Sequence, residues 1–299
     1  MKKNTDIYKV YSYIFLVIFL IFFILFGIFK AGKININNQE KYTQKLISEI
    51  KYLDINFVKI FNQMNNIEFE NYKISINEID KKNLKNQKKE ETKSNDNKEN
   101  EENKDIKIFD LKRMNILTES KDINRQKIKD EVENMYLSIP TITLDLYQTK
   151  IEKNLILDFN SEYDNLTKFV QEENKIKTLE ELVKLYSNLV KISENIFPRE
   201  FDKLILKSKL NLFKAYSKLD NKEWEEILKD INLSIEEFSK IMSMKDITNQ
   251  KIYSINKIYI MLNELEKSID KKNEEIFLIK YKNIIEELNK MWYTIKRVN

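Results

Sequence analysis

The stretch "FDKLILKSKLNLFKAYSKLDNKEWEEILKDINLSIEEFSKIM", residues 201–242, decides the fold class because it contains two helical patterns joined by one polar turn. The first pattern spaces apolar or small residues 4-3-4-3-4, which places them on one helix face: Phe201, Ile205, Ser208, Leu212, Ala215 and Leu219. The second begins after "DNKE" at Asp220 and comprises Trp224, Ile227, Ile231, Ile235, Phe238 and Met242. The stretch predicts an antiparallel hairpin in which Ile231 and Ile235 fill the space beside Ser208 and Ala215.

The same pattern continues on both sides of this hairpin. Polar turns are predicted at Glu172 ("EENK") and Asp270 ("DKKN"), at nearly even spacing along the chain. A capping box from Thr178 to Glu181 predicts one helix start, and Pro140 predicts another whose helix buries Ile142, Leu144 and Tyr147. The predicted core faces are Leu179, Leu182, Tyr186, Leu189 and Ile196; Ile252, Ile255, Tyr259, Leu262 and Ile269; and Phe277, Tyr281, Ile284, Leu288, Met291 and Ile295.

An apolar run near the start predicts a membrane anchor. Val10 to Phe29 are 20 residues without a charge, which is about 30 Å of helix and matches the hydrocarbon thickness of a bilayer. A signal peptide has a shorter apolar core and small residues before its cleavage site, whereas this run ends in Phe29 and Lys30. We expect an uncleaved single-pass span over 10–29. The short basic tail 1–9 favours a cytoplasmic amino terminus and an extracytoplasmic remainder.

Two segments separate the anchor from the main helical region. Over 34–80 we expect a membrane-proximal helical stalk, because Leu46, Ile50, Leu53, Phe57, Ile60 and Met64 form a heptad seam. This seam is compatible with two arrangements, which we weight equally. The helix could form a coiled coil with a second copy of the chain, or it could fold back onto the later domain. After it, alternating apolar residues over 67–76 are compatible with a short strand. Residues 81–107 are expected to be a disordered charged linker, since 85–105 contain no apolar residue.

The predicted fold class is therefore all-α. It consists of an N-terminal transmembrane helix, a helical stalk, and an extracytoplasmic domain over 108–299. That domain is an antiparallel helical bundle or an array of helical hairpins, and the sequence favours a bundle without true repeats.

Composition excludes many kinds of chemistry. The chain has no Cys and no His, so disulfides, thiolate or imidazole metal sites and His-dependent catalysis are closed to it. We predict no catalytic, cofactor-binding or metal residue and no cofactor. Trp224 and Trp292 could be ligand platforms, but their helical positions favour core or half-buried caps. Residues 1–33 carry five lysines and one aspartate, which leaves 47 basic and 47 acidic residues after them. This balance provides no drive toward nucleic acid.

Several segments carry a family resemblance. The segments "IPTITLDLYQ", "LILDFNSEYDNLTKFV", "LEELVKLYSNL" and "KLNLFKAYSKLDNKEWEEI", within about 130–240, resemble single-pass, membrane-anchored helical proteins of AT-rich Gram-positive bacteria. The earlier "YLDINFVKIFNQMNNIEFENYKI" is similar to their membrane-proximal part. This resemblance implies location and architecture, and it implies no activity.

The expected function is non-catalytic. We expect binding or scaffolding at the cell envelope, with the bilayer contacted through 10–29 and either an envelope protein or a second copy as partner. The alternative is an extracytoplasmic sensor or ligand-binding domain. A pocket lined by several Tyr or Trp would favour the sensor, and a filled core would favour the scaffold.

Overall fold

The structure, a computed structural model, describes residues 42–65, 67, 123–245, 247 and 249–294. Within these ranges every regular element is a helix, which confirms the all-α prediction. None of the helices described there is both long and apolar enough to cross a membrane. The predicted span over 10–29, the alternating residues after Ile67 and the predicted linker over 81–107 lie outside the described residues.

The helices are numbered in chain order. Helix α1 covers 42–63. The others are α2 (Arg125–Tyr136), α3 (Ile139–Tyr147), α4 (Lys153–Gln171), α5 (Lys175–Ile196), α6 (Glu200–Ser217), α7 (Trp224–Met242), α8 (Asn249–Ser268), a 3-10 turn (Ile269–Lys271) and α9 (Glu274–Thr294).

The chain divides into two compact units, Met1–Ile47 and Ser48–Asn299, and the boundary falls inside α1. The described part of the first unit is the helical stretch 42–47. In the second unit each helix from α4 to α9 packs against the next one. Helices α2 and α3 pack on α4, and α9 also contacts α6. The second unit is thus a series of antiparallel neighbours, and the first predicted hairpin is its α6–α7 pair.

The three predicted turns are confirmed, and each contains a residue in the left-handed backbone region. These residues are Glu173 (φ 57°), Lys222 (φ 57°) and Lys272 (φ 48°). Such φ values favour glycine, because a Cβ atom crowds the backbone there. The chain has only two glycines, so charged residues occupy these positions instead. The turns close three helical hairpins, α4–α5, α6–α7 and α8–α9.

Small residues let α6 and α7 approach closely, but their partner differs from the predicted one. The Ser208 hydroxyl lies 2.8 Å from the Ser234 hydroxyl, and Ser234 also donates to the Ser208 carbonyl at 3.0 Å. Leu212 and Ile231 are fully buried as expected. Ile235 is only half-buried, because Ser234 occupies the contact with Ser208. Two small side chains therefore set the helix spacing here.

The predicted start of α5 is wrong by about one turn. Asn174 is the N-cap, and its side chain accepts a hydrogen bond from the backbone N–H of Lys177. Thr178 lies inside the helix and donates to the Asn174 carbonyl at 2.7 Å. Since Asn174 already satisfies the end of the helix, the Thr178 hydroxyl bonds back to the preceding turn.

The predicted core face of α7 is wrong at its end, where Met242 is exposed and Ile241 is buried instead. Two other predicted core faces are rotated in the structure. Helix α3 buries Ile139, Ile142 and Leu146 but leaves Leu144 and Tyr147 exposed. Helix α8 buries Ile255, Ile258, Leu262 and Leu265, whereas Ile252 is exposed. Both helices have apolar residues on more than one face, so the periodicity alone fits more than one buried stripe.

Helix α1 is buried on nearly all sides over the part that belongs to the second unit. Between Lys51 and Met64 only Tyr52 and Lys59 are half-exposed, and the polar Asp54 and Asn62 are fully buried. A helix buried all round is a core helix rather than a surface one. Of the two alternatives that the heptad seam left open, the structure has α1 folded back onto the later helices of the same chain.

Candidate functional site

Three hydrogen-bond donors from later helices surround Asp54 on α1. The ammonium group of Lys209 on α6 donates to Asp54 Oδ2 at 2.7 Å, and the Tyr293 hydroxyl on α9 donates to the same oxygen at 2.7 Å. The Tyr186 hydroxyl on α5 donates to Asp54 Oδ1. Three helices that lie far from α1 in the sequence therefore converge on one carboxylate. We call Asp54, Tyr186, Lys209, Tyr293 and the neighbouring Trp292 the Asp54 cluster.

The Asp54 cluster is closed to solvent at its centre. Asp54 and Lys209 are both 0% exposed. Burial lowers the pKa of Lys209 below its ordinary value, because the charged ammonium loses its water, and the Asp54 carboxylate opposes this. The Lys209 ammonium also lies 4.6 Å from the centre of the Trp292 ring, which supplies further stabilisation through a cation–π contact.

Trp292 extends the cluster toward the start of α6. Its indole N–H donates to Asp202 Oδ1 at 2.9 Å. Asp202 is in turn held by the Arg199 guanidinium, at 2.8 Å and 3.0 Å to its two oxygens. The ring of Trp292 also lies 5.0 Å from the ammonium group of Lys51. The indole thus joins the beginning of α6, the end of α9 and α1.

A second polar group holds the C-terminal end of α1. The Lys175 ammonium donates to Asn65 at 2.7 Å and to Asp220 at 2.8 Å. Asn65 donates to the Tyr216 hydroxyl at 2.7 Å, and that hydroxyl donates to the Phe61 carbonyl at 2.7 Å. Polar contacts at Asp54, midway along α1, and beyond the C-terminal end therefore set the position of this helix along its axis.

Between these two polar groups, aromatic rings pack directly against α1. Phe61 stacks on Phe213 with centroids 4.2 Å apart, and Phe57 lies 6.5 Å from Tyr186, edge to face. Tyr186 in turn meets the Phe213 ring at 4.7 Å, edge to face. These rings fill the space around the helix instead of lining an open pocket.

A small cavity lies beside the end of α1. Its volume is about 40 Å³, and its walls include Met64, Ile128, Val170 and Thr178. A water molecule needs roughly 10–15 Å³ by the same kind of measure, so this cavity has room for very few waters. Tyr and Trp side chains are not among its lining residues.

The geometry of the Asp54 cluster suits holding a helix better than reacting with a substrate. Both oxygens of the carboxylate accept hydrogen bonds, and neither Asp54 nor Lys209 reaches solvent. Within the described residues no group of three or more carboxylates is placed to hold a metal ion. A buried, fully paired charge resists loss of its partner, and this property favours one register of α1 over shifted ones.

Sequence reasoning located some of these residues and missed others. Trp292 is a core residue and Trp224 is half-buried, as predicted. Asp54 and Lys209 were not predicted as a pair, because each looks like an ordinary solvated residue and 155 positions separate them. The one available signal was that Asp54 directly follows the seam residue Leu53 in a short, strongly apolar segment.

No protein-family model matches the chain, and neither a curated protein nor a solved structure matches it.

Proposed function

We propose that the chain is a non-catalytic, single-pass membrane protein whose extracytoplasmic helical domain binds or scaffolds another envelope protein. The observation that carries this proposal is the closed interior around α1. Its buried charged groups, Asp54 and Lys209, bind each other and hold the helix in place. Because these interior groups already bind each other, we assign recognition of the partner protein to the outer surface.

The membrane part of the proposal is supported by the uncharged run Val10 to Phe29. A run of 20 uncharged, predominantly apolar residues is long enough to span a bilayer. Seven lysines within 1–45 flank this run on both sides, so the orientation rests on the short basic tail before it.

Cysteine labelling in intact cells tests the topology directly, because the chain has no native Cys. Ile176→Cys places a thiol on an exposed residue of the helical domain, and Thr5→Cys places one in the tail. A membrane-impermeant maleimide should label the first in intact cells and the second only after permeabilisation. The opposite labelling pattern, or release of the protein by alkaline carbonate, would contradict the proposal.

Photo-cross-linking separates the scaffold from the sensor. A photoreactive label on exposed thiols, such as Leu233→Cys and Ile260→Cys, should give discrete protein adducts in native membranes. The same variants in vesicles of pure lipid should give none. Absence of adducts in native membranes, together with a small molecule that raises the unfolding temperature of the full chain, would favour the sensor.

A further inference from the structure

The contacts of α1 define two ends of the second unit. Near the start of α1 in this unit, the Lys51 ammonium lies 5.0 Å from the Trp292 ring. Past its other end, Asn65 accepts a hydrogen bond from Lys175 at 2.7 Å. We call the level of Lys51 the proximal end, because the chain reaches it first, and the level of Asn65 the distal end.

Other elements can be assigned to these ends by direct contacts. The α4–α5 and α6–α7 turns are distal, because Lys175 begins α5 and bonds Asp220. The start of α6 is proximal, since Asp202 accepts from the Trp292 indole. The start of α8 is proximal too, because the Lys251 ammonium lies 5.3 Å from the Phe201 ring.

The α2–α3 junction also lies at the proximal end. The Ser138 hydroxyl is 3.4 Å from the Tyr52 hydroxyl, and Tyr52 directly follows Lys51 on α1. Further toward the distal end, Lys59 pairs with Glu131 at 3.7 Å. Helix α2 therefore runs from the distal to the proximal end.

Exposed apolar side chains are concentrated at the proximal end. Leu137 is 81% exposed and Tyr253 is 75% exposed. Away from this end the exposed apolar side chains are fewer: Ile260 beyond the middle of α8 is 61% exposed, and Ile176 at the distal end is 41% exposed. Clusters of exposed apolar side chains mark surfaces that bind something. The proximal set is Leu137, Leu144, Leu157, Met242, Ile252 and Tyr253.

Basic side chains stand among these apolar ones. Lys245 is exposed and Lys251 is half-buried. The nearby Asp202 is buried and held by Arg199, and the exposed Glu200 pairs with Lys203 at 3.8 Å. Burial, and then the positive charge of Arg199, lower the pKa of Lys251. An added negative group would therefore be favourable beside Lys251.

Apolar and aromatic side chains next to lysines are suited to the boundary between lipid headgroups and acyl chains. Residues 30–47 connect the proposed span to Ser48, and even a fully extended chain of this length reaches only about 60 Å. We propose that the proximal end docks on the bilayer surface, with Leu137 and Tyr253 at the headgroup level. This inference rests on the proposed function, because it requires residues 10–29 to span that bilayer.

Site-specific quenching in vesicles tests the docking. Full-length Leu137→Cys and Tyr253→Cys carry an environment-sensitive fluorophore, and Ile176→Cys is the distal control. Each is reconstituted in phosphatidylcholine vesicles and in vesicles of equimolar phosphatidylcholine and phosphatidylglycerol. We expect a headgroup-attached quencher to reduce emission at 137 and 253 but not at 176. The anionic vesicles should strengthen this difference because of Lys245 and Lys251.

The outcomes distinguish docking from anchoring. If the protein floats with the vesicles while only an aqueous quencher reaches 137 and 253, the docking is overturned and the anchor stands. Shielding of these positions from both quenchers would also overturn it and would indicate a second copy on this face. If the protein does not float with the vesicles, the span is wrong and the docking falls with it.

Discussion

The ammonium group of Lys209 lies 2.7 Å from the carboxylate of Asp54, a residue 155 positions earlier in the chain, and neither side chain reaches solvent. This contact joins α1 to the middle of α6. It makes the folded second unit depend on a segment that the sequence places before the charged stretch 85–105.

Replacing one partner of the Asp54–Lys209 pair should lower the unfolding free energy more than replacing both partners with apolar residues. Lys209→Met leaves the carboxylate buried without its cation, and losing one partner of a buried pair typically costs about 3–5 kcal/mol. Asp54→Leu should cost a similar amount. The double variant should recover part of the loss, because it buries no unpaired charge. Urea unfolding of the full chain in detergent micelles, followed by circular dichroism, measures these differences.

The matched control for this pair is Lys229→Met, which changes an exposed lysine on α7. It should alter the unfolding free energy by a few tenths of a kcal/mol at most, as exposed ion pairs contribute little. If the Lys209 variant is equally mild, the pair is not buried as described.

Stability should fall at alkaline pH because of buried tyrosines. Burial raises the pKa of Tyr163, Tyr186 and Tyr216 above the ordinary value of 10.0, and the Asp54 charge adds to this at Tyr186. Above pH 10 the unfolded chain loses these protons and the folded chain keeps them. Each group therefore lowers the unfolding free energy by about 1.4 kcal/mol per pH unit.

Lys209 has the opposite effect on folding stability, and it acts at lower pH than the tyrosines. Its folded pKa is lowered, so stability rises with pH until the unfolded lysine has also lost its proton, near the ordinary value of 10.5. Above that value the tyrosines lower the stability, as do ion-paired lysines whose pKa is raised, such as Lys184 and Lys207. Urea titrations at increasing pH should show a steep loss there. Tyr163→Phe should weaken that dependence, and an unchanged slope in this variant would contradict the assignment.

Periodicity was sufficient to identify the seam of α6, although this helix also buries residues off the seam, among them Lys209 and Phe213. Helix α6 follows its pattern from Phe201 to Leu219, and every residue of the predicted face is buried. Helix α1 was not predictable in the same way. Its seam was identified correctly, but Asp54 and Asn62 lie off the seam and are polar, so they resemble solvated positions. Their burial depends on partners distant in the sequence, and periodicity carries no information about those partners.

The α6–α7 contact should be sensitive to loss of volume. Leu212 is fully buried in the middle of α6, and truncating a buried Leu to Ala typically costs 2–5 kcal/mol. Leu212→Ala should therefore lower the midpoint of thermal unfolding by many degrees. Glu225→Ala, on the exposed side of α7, should change it little. Equal and small effects would mean that the helix face is assigned wrongly.

Glycine should stabilise the α6–α7 turn. Lys222 has φ 57°, a conformation that costs a residue with a Cβ atom roughly 1–2 kcal/mol. Lys222→Gly removes this cost but makes the unfolded chain more flexible, so we expect a gain of about 0.5–1 kcal/mol. Lys229→Gly, in the interior of α7, should instead lose about 1 kcal/mol. Chemical unfolding of both variants tests the left-handed geometry, and a loss of stability in the first would contradict it.

The most direct test asks whether α1 packs within its own chain or against a second copy. Lys59 and Glu131 pair at 3.7 Å and are both partly exposed, so cysteines there disturb the core little. A short bismaleimide should join Lys59→Cys to Glu131→Cys within one chain, giving a monomer of altered mobility on a denaturing gel. The single Lys59→Cys variant should give no cross-linked dimer. Efficient dimer formation by that single variant, without the intramolecular product in the double variant, would contradict the central position of α1.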